Sequence, residues 1–232
     1  MNYVAEIPVR LGSKRVQKKN LRMINGKPML AYAIEACKAS KKIDSIFVNS
    51  EGNTVRKLCN DYGVNFFERI PQLLEDNARQ DEFNYDFLSK VDADNLVMIN
   101  PVSPLLLPED IDNAIKHFEE NNLDSLIAIR EEKLQAFYDG KPLNFSDKGL
   151  LPMTQSLKPV QLCAWSICIW NAKKFINQYE ELGYAVFVGN YGLYPLDPIR
   201  AIKISTEEDF RLAEMFIKAR ESKDNYQVYY YE

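Results

Sequence analysis

The chain has 232 residues, of which 46% are hydrophobic and 27% are charged, and this composition excludes a fibrous or disordered protein. The formal net charge of −4 excludes the basic field that nucleic-acid binding uses, and no apolar run approaches the roughly 20 residues of a membrane span. Four cysteines without a C-x-x-C spacing and one histidine make a poor zinc site. We therefore expect a cytoplasmic protein with free thiols, no signal peptide, and neither nucleic acid nor a membrane as partner.

Strands and helices alternate over the first 130 residues. The pattern predicts strands at residues 3–8, 43–48, 64–67, 95–99 and 125–129. Between them it predicts a helix opened by Pro28 and further helices at 55–62, 84–91 and 108–121. Such alternation implies right-handed crossovers and a mainly parallel sheet, so the predicted fold class is α/β.

After residue 130 the pattern becomes irregular. Residues 131–165 are rich in turns, and we predict an excursion from the sheet there, with hairpins and a subunit contact. The remaining predicted elements are a strand at 166–170, a helix at 172–182, a strand and loop at 184–196, a short strand at 202–204 and a helix begun by Thr206. Residues 226–232 are predicted to be an edge strand or a frayed tail. The whole chain, 1–232, is predicted to be one domain.

A basic segment follows the first strand. Of the eleven residues from Arg10 to Asn20, five are basic and none is acidic, and ligands of α/β folds bind at the carboxyl ends of strands. The segment offers charge-assisted donors, a hydroxyl and a glycine turn, which together suit a phosphate group: Arg10, Gly12, Ser13, Lys14, Arg15 and Lys19. The alternative is a solvated charged loop, since most basic runs are solvated. The segment matches neither the P-loop nor the dinucleotide-binding glycine motif, so neither of those mechanisms is implied.

Residues 7–20, I-P-V-R-L-G-S-K-R-V-Q-K-K-N, resemble the opening motif of the acylneuraminate (CMP-sialic acid synthetase) cytidylyltransferases, I-P-A-R-x-G-S-K-R-I-P-x-K-N. Val9 replaces the alanine and Gln17 the second proline. Weaker similarities follow in the family's order at residues 27–30, 48–52, 68–76, 100–105 and 202–210. The resemblance implies a three-layer, Rossmann-like nucleotide-binding domain that forms a homodimer through the excursion at 131–165.

The resemblance also implies a reaction and a set of roles. A hydroxyl of a sugar acid would attack the α-phosphorus of CTP, and pyrophosphate would leave. The implied catalytic residues are Lys14 and Lys19. The implied nucleotide-binding residues are Arg10, Gly12, Ser13, Arg15, Asn20, Asn49, Ser50 and Arg69, and the implied acceptor-binding residues are Asn100, Ser103 and Gln155. Without the resemblance, the simpler interpretation of Arg69 is an ion pair with Glu68 or Asp76, and the Ser103 hydroxyl could equally stabilise a turn.

The sequence departs from the family at the metal and acceptor positions. The family's two metal-binding aspartates fall at Lys203 and Ser205, and the arginine of its acceptor-binding R-Q pair falls at Thr154. We therefore predict no protein-held metal, with Mg²⁺ carried by the nucleotide, and an atypical acceptor. Trp165 replaces a family glycine and could stack on a ligand or lie in the core or an interface. CTP and another nucleoside triphosphate both stay open, as do two alternative functions: a non-catalytic nucleotide-binding paralogue and a scaffold protein.

Overall fold

The computed structural model describes residues 1–12 and 15–222. Its centre is a sheet of seven strands, which are β1 (Tyr3–Pro8), β2 (Ser45–Ser50), β3 (Asn65–Glu68), β4 (Asn95–Ile99), β5 (Ser125–Glu132), β6 (Val160–Asn171) and β7 (Tyr191–Leu196). Their order across the sheet is β7-β5-β6-β4-β1-β2-β3. Strand β6 runs antiparallel to both of its neighbours, and the other neighbouring pairs are parallel. The predicted mainly parallel α/β sheet is therefore confirmed.

Helices cover both faces of the sheet. They are α1 (Met29–Ala39), α2 (Asn53–Tyr62), α3 (Gln80–Leu88), α4 (Pro108–Glu120), α5 (Ala172–Leu182) and α6 (Glu207–Glu221). Helices α1, α2 and α4 pack with one face of the sheet in a single apolar cluster, whereas α3 and α5 pack on the opposite face. Helix α6 forms a third cluster with α1 and with residues near the basic segment. This arrangement is the three-layer architecture that the resemblance implied.

Most predicted elements are present, with small shifts at their ends. The strands at 3–8 and 95–99 and the helix at 172–182 have the predicted bounds. The strand predicted at 166–170 is the second half of a longer strand, β6, and the helix predicted at 84–91 begins four residues earlier. The short strand predicted at 202–204 is wrong, because the segment pairs with no other strand. Its one backbone bond to residues 100–105 is from Ile204 N–H to the Val102 carbonyl, at 2.8 Å. The strand or tail predicted at 226–232 lies outside the described residues.

Between β5 and β6 the chain leaves the helical layers. It forms a small hairpin of Phe137–Tyr138 with Lys141–Pro142 and then a 3-10 turn at Thr154–Ser156. Several apolar side chains of this segment are exposed to solvent. No helix in the described part of the chain is long and apolar enough to cross a membrane.

Candidate active site

A cleft of about 270 Å³ lies at the carboxyl ends of the parallel strands. Arg10 follows β1, Arg69 follows β3 and Asn100 follows β4 directly, and all three side chains line the cleft together with Phe83. These arginines and this asparagine are far apart in sequence. They meet because parallel strands end at the same edge of the sheet. Three residues predicted for ligand binding are thus brought together by the fold.

Arg10 lies at the mouth of the cleft and is held by the segment that follows β3. Its Nη2 is 2.7 Å from Asp76 Oδ1, and its Nη1 donates to the Leu74 carbonyl at 3.3 Å. Behind it, Asn20 is buried and donates from Nδ2 to the Arg10 carbonyl at 3.3 Å, which fixes the loop backbone. Asp76 pairs with Arg10, and Glu68 pairs with Arg56 at 3.0 Å, so the alternative pairing of Arg69 with Glu68 or Asp76 is wrong.

Lys19 joins the basic segment to the region just before α6. Its Nζ donates to the Ile204 carbonyl at 2.8 Å. Burial, together with the neighbouring charges of Arg15 and Lys203, lowers the pKa of Lys19 to about 8. Cations from two distant parts of the sequence therefore repel one another here, which is an arrangement that a bound anion would relieve.

Arg69 is buried and held rigidly, in contrast to Arg10. Its Nε donates to Asn49 Oδ1 and its Nη2 to the Asn49 carbonyl, each at 2.9 Å, and its guanidinium stacks on the Phe83 ring at 4.4 Å. Asn49 Nδ2 in turn donates to Glu6 Oε1 at 2.5 Å. Asn49 and Arg69, two of the residues implied for nucleotide binding, are therefore in direct contact. The third, Ser50, has its hydroxyl 3.3 Å from Glu51 Oε2.

Sequence reasoning missed Glu6. It is fully buried in β1, where burial raises its pKa to about 8 despite the Asn49 hydrogen bond and the Arg69 charge. The available signal was an acidic residue inside an otherwise apolar strand, Tyr-Val-Ala-Glu-Ile-Pro. A buried glutamate needs polar partners, and this one finds them in Asn49 and Asn84. With its amide nitrogen toward Glu6, Asn84 donates to Glu6 Oε2 and to the Gln80 carbonyl, both at 3.2 Å.

The predicted acceptor residues do not all share the cleft. Asn100 lines it and is anchored by its N–H to the Ser166 carbonyl at 2.9 Å. Ser103 is buried and its hydroxyl has no hydrogen-bond partner among the described residues, so it does not stabilise the turn that its own N–H closes on Asn100. Gln155 is exposed in the 3-10 turn of the excursion and does not line the cleft.

The other predicted residues are distributed as follows. Gly12 and Arg15 are exposed on the basic segment, whereas Ser13 and Lys14 lie outside the described residues.

Trp165 is half-buried in an irregular part of β6, has a left-handed backbone (φ 57°) and packs edge-to-face with Phe187 at 6.3 Å. A positive φ is an outlier for so bulky a residue.

The residues at the family's metal positions do not fit a magnesium site. Lys203 is exposed and cationic. Asp209, the neighbouring carboxylate, accepts from the N–H groups of Ser205 and Thr206 at 2.8 Å each and thereby caps α6. Throughout residues 1–12 and 15–222, no group of three or more His, Cys, Asp or Glu side chains could hold a metal ion. Mg²⁺ prefers oxygen ligands, and this end of the site offers a lysine instead.

Comparison with known proteins decides the family. The sequence model described as cytidylyltransferase matches residues 4–158. The chain belongs to the cytidylyltransferase family. All the cleft residues of this cytidylyltransferase fall in the matched region, whereas Lys203, Ser205 and the carbonyl that binds Lys19 lie beyond it.

Relatives extend this likeness over most of the chain. Post-translational flagellin modification protein B of Campylobacter coli is 30% identical over 227 residues, which are 92% of this chain and 94% of that protein. The N-acylneuraminate cytidylyltransferase of Streptococcus agalactiae serotype V is 26% identical over 221 residues, which are 90% of this chain and 52% of that protein. This cytidylyltransferase thus spans nearly the full length of the first relative and about half of the second.

A solved structure agrees in fold. CMP:2-keto-3-deoxy-manno-octonic acid synthetase, in complex with CTP, superposes with a TM-score of 0.72 at 13% identity, covering 95% of this chain and 100% of that one. At this identity the likeness shows the three-layer fold alone.

Proposed function

We propose that this cytidylyltransferase transfers CMP from CTP to a hydroxyl group of a sugar acid and releases pyrophosphate. The acceptor oxygen bonds to the α-phosphorus, the bond from that phosphorus to the β-phosphate oxygen breaks, and the hydroxyl proton is lost to solvent or base. The observation that carries the proposal is the cleft in which Arg10, Arg69 and Asn100 converge beside the basic segment. The relatives that are named as cytidylyltransferases support the choice of nucleotide.

The chemistry asked of the protein is positioning and charge neutralisation. We assign the phosphates to Arg10 and Lys19, together with Gly12, Ser13, Lys14 and Arg15 of the same segment on sequence grounds. We assign the rigid Arg69 to the nucleoside end, with Asn49 as its anchor. Asn20 supports the loop through its bond to the Arg10 carbonyl, and the buried Ser50 follows Asn49 at the end of β2.

The acceptor end rests on fewer residues. Asn100 lines the cleft, Ser103 follows in the same turn with a buried hydroxyl, and no arginine accompanies Gln155 in the excursion. A carboxylate acceptor would therefore lack a bidentate partner there. We propose an acceptor whose carboxylate is recognised elsewhere, or an atypical sugar acid. For magnesium, we propose that it arrives already bound to the triphosphate, since Mg²⁺ retains several waters and needs few protein ligands.

A second copy of the chain is the partner that we propose for the excursion. Phe137, Tyr138, Leu150, Leu151 and Met153 each expose between 63% and 98% of their surface. Exposed apolar side chains concentrated on one segment mark an association surface. Light scattering should give a dimer for the wild type and a smaller species for Leu150→Asp/Met153→Asp. We also propose a reducing, cytoplasmic location, which the four free cysteines support.

The test of the reaction is pyrophosphate release with CTP and a panel of sugar acids. Arg69→Gln should lower activity by about ten- to a hundredfold, the scale of a lost charged hydrogen bond of roughly 1.5–3 kcal/mol. The matched control is Arg56→Gln, because Arg56 is a surface arginine that pairs with Glu68 at 3.0 Å. Nucleotide-dependent thermal stabilisation without turnover on any acceptor would favour the non-catalytic paralogue, which Lys203 and Ser205 alone suggest.

A further inference from the structure

Glu6 occupies an unusual place for a carboxylic acid. It lies in the strand between β2 and β4, in register with Phe47 on one side and Met98 on the other, and none of its surface is exposed. A buried polar group is retained at a cost in stability unless its hydrogen bonds are satisfied. Both carboxyl oxygens of Glu6 are satisfied, and both of its partners are amides, Asn49 and Asn84.

The contact with Asn49 fixes the direction of an amide. Because Asn49 Nδ2 donates to Glu6, Asn49 Oδ1 must face the opposite way, toward Arg69 Nε at 2.9 Å. Without an acceptor at position 6 the amide could rotate by half a turn, and its NH₂ group would then oppose the Nε–H of Arg69. Two donors cannot bond to each other, so Arg69 would lose one of its two anchors.

We propose that Glu6 is a positioning residue that orients Arg69 through the Asn49 amide and thereby prepares the guanidinium for a ligand oxygen. The proposal rests on the proposed function, because it takes the cleft as the nucleotide site. Arg69 donates to Asn49 from Nε and from one N–H of Nη2, and within the described residues its Nη1 has no hydrogen-bond partner. The guanidinium lines the cleft, so these remaining donors can bind a carbonyl oxygen of the base or a phosphate oxygen.

The variants separate orientation from charge and from packing. Glu6→Gln keeps an acceptor oxygen for Asn49, and Asn84 can turn its own oxygen to the new NH₂ group. Glu6→Leu fills the volume but offers no acceptor. Met98→Ala is the matched control, because Met98 is Glu6's buried neighbour in register on β4 and contacts neither Asn49 nor Arg69 through a hydrogen bond.

Two readouts are measured for each variant. The first is the Nε–H resonance of Arg69 in a ¹⁵N-labelled protein, assigned with Arg69→Lys, and its exchange with solvent; this needs no ligand. The second is calorimetric affinity for CTP, CMP, cytidine and inorganic pyrophosphate. Cytidine and CMP report a base contact, whereas an effect confined to CTP and pyrophosphate reports a phosphate contact.

We expect Glu6→Leu to speed exchange of the Arg69 Nε–H and to weaken binding by about tenfold or more, the scale of a lost charged hydrogen bond. Glu6→Gln should stay within about threefold of the wild type, and Met98→Ala should lower the melting temperature without changing either readout. Wild-type exchange and affinity in Glu6→Leu would overturn the proposal, as would an equal loss in Glu6→Gln. Should Glu6→Leu not fold, Asn49→Leu tests the same amide. Wild-type protein that binds no nucleotide refutes the proposed function, while the exchange measurement still decides the role of Glu6.

Discussion

Lys19 gives the sharpest test of the proposed nucleotide site, because a role there predicts a CTP affinity that changes with pH. In the free protein its pKa is lowered to about 8 by burial and by the charges of Arg15 and Lys203. A phosphate bound nearby would favour the charged amine and raise that pKa again. Nucleotide binding should therefore draw a proton onto Lys19 at alkaline pH, and the affinity for CTP should fall as the pH rises above 8.

The size of the effect follows from the strength of the contact. A charged hydrogen bond contributes roughly 1.5–3 kcal/mol, and one pKa unit corresponds to about 1.4 kcal/mol. The pKa of Lys19 in the complex should thus lie about one to two units above its value in the free protein. The affinity of the wild type for CTP should then fall by about ten- to a hundredfold between pH 7 and pH 10. The affinity of Lys19→Gln should already be at this lower level at pH 7 and should stay there up to pH 10.

Folding stability should change in the opposite direction. The pKa of Lys19 is lower in the folded protein than the ordinary value of 10.5, so between pH 8 and 10.5 the unfolded chain binds more protons. Stability then rises with pH in this window. Relative to Lys19→Gln, the wild type should gain stability and lose CTP affinity over the same range.

Calorimetry with CTP from pH 7 to pH 10, on wild type, Lys19→Gln and Lys18→Gln, measures the effect. Lys18 is the exposed neighbour, so its variant should follow the wild type. Glu6, whose pKa is also about 8, is present in all three proteins, and the difference between their profiles isolates Lys19. Parallel profiles for wild type and Lys19→Gln would remove Lys19 from the site.

Three further predictions concern the acceptor, the metal and the fold. N-acetylneuraminate should be a poor acceptor, since no arginine stands beside Gln155; rapid CMP-sialic acid formation at micromolar acceptor would contradict this. If Mg²⁺ is bound to the nucleotide, turnover should stop in EDTA, and full turnover in EDTA would refute this. The double variant Lys203→Asp/Ser205→Asp should make turnover more dependent on Mg²⁺ than it is in the wild type. Gly189→Ala should destabilise the protein by about 1–3 kcal/mol in chemical denaturation, because Gly189 has a φ of +50° and an added Cβ would lie 2.2 Å from Asp124 Oδ2; an unchanged midpoint would show that the loop yields freely.

The sequence predicts the layers of the fold well because their signals are local. Alternating apolar strands and amphipathic helices need only short windows to be recognised, and the N-cap Thr206 with Asp209 three residues later marks the start of α6. The prediction of a short strand at 202–204 is wrong because it, too, rests on local signals alone. Its residues Ile-Lys-Ile have strand character, but the neighbouring backbone that a strand requires is absent, and only one bond to Val102 forms.

The site was predictable in part. Arg10 and Arg69 belong to recognisable motifs, and strand ends bring them together. Their hydrogen-bond and ion-pair geometry was not predictable, because the pairing of Asp76 with Arg10 and the two bonds from Arg69 to Asn49 depend on three-dimensional proximity between distant segments. Glu6 went unnoticed since burial cannot be read from one residue, although an acid inside an apolar strand is itself a signal that it has a buried polar partner.

The two arginines of the cleft have different physical tasks. The Arg10 and Asp76 side chains are 34% and 55% exposed, and an ion pair so open to water contributes at most about 1 kcal/mol. An incoming phosphate can therefore take over the Arg10 guanidinium at little cost. Arg69 is only 5% exposed and is bonded to Asn49. Moving it would leave buried donors without partners, and the free-energy cost of this exceeds the stabilisation that the exposed Arg10–Asp76 pair contributes. If the cleft is the nucleotide site that we propose, the ligand must adapt to Arg69, whereas Arg10 can adapt to the ligand. Selectivity among nucleotides should then depend on Arg69 more than on Arg10.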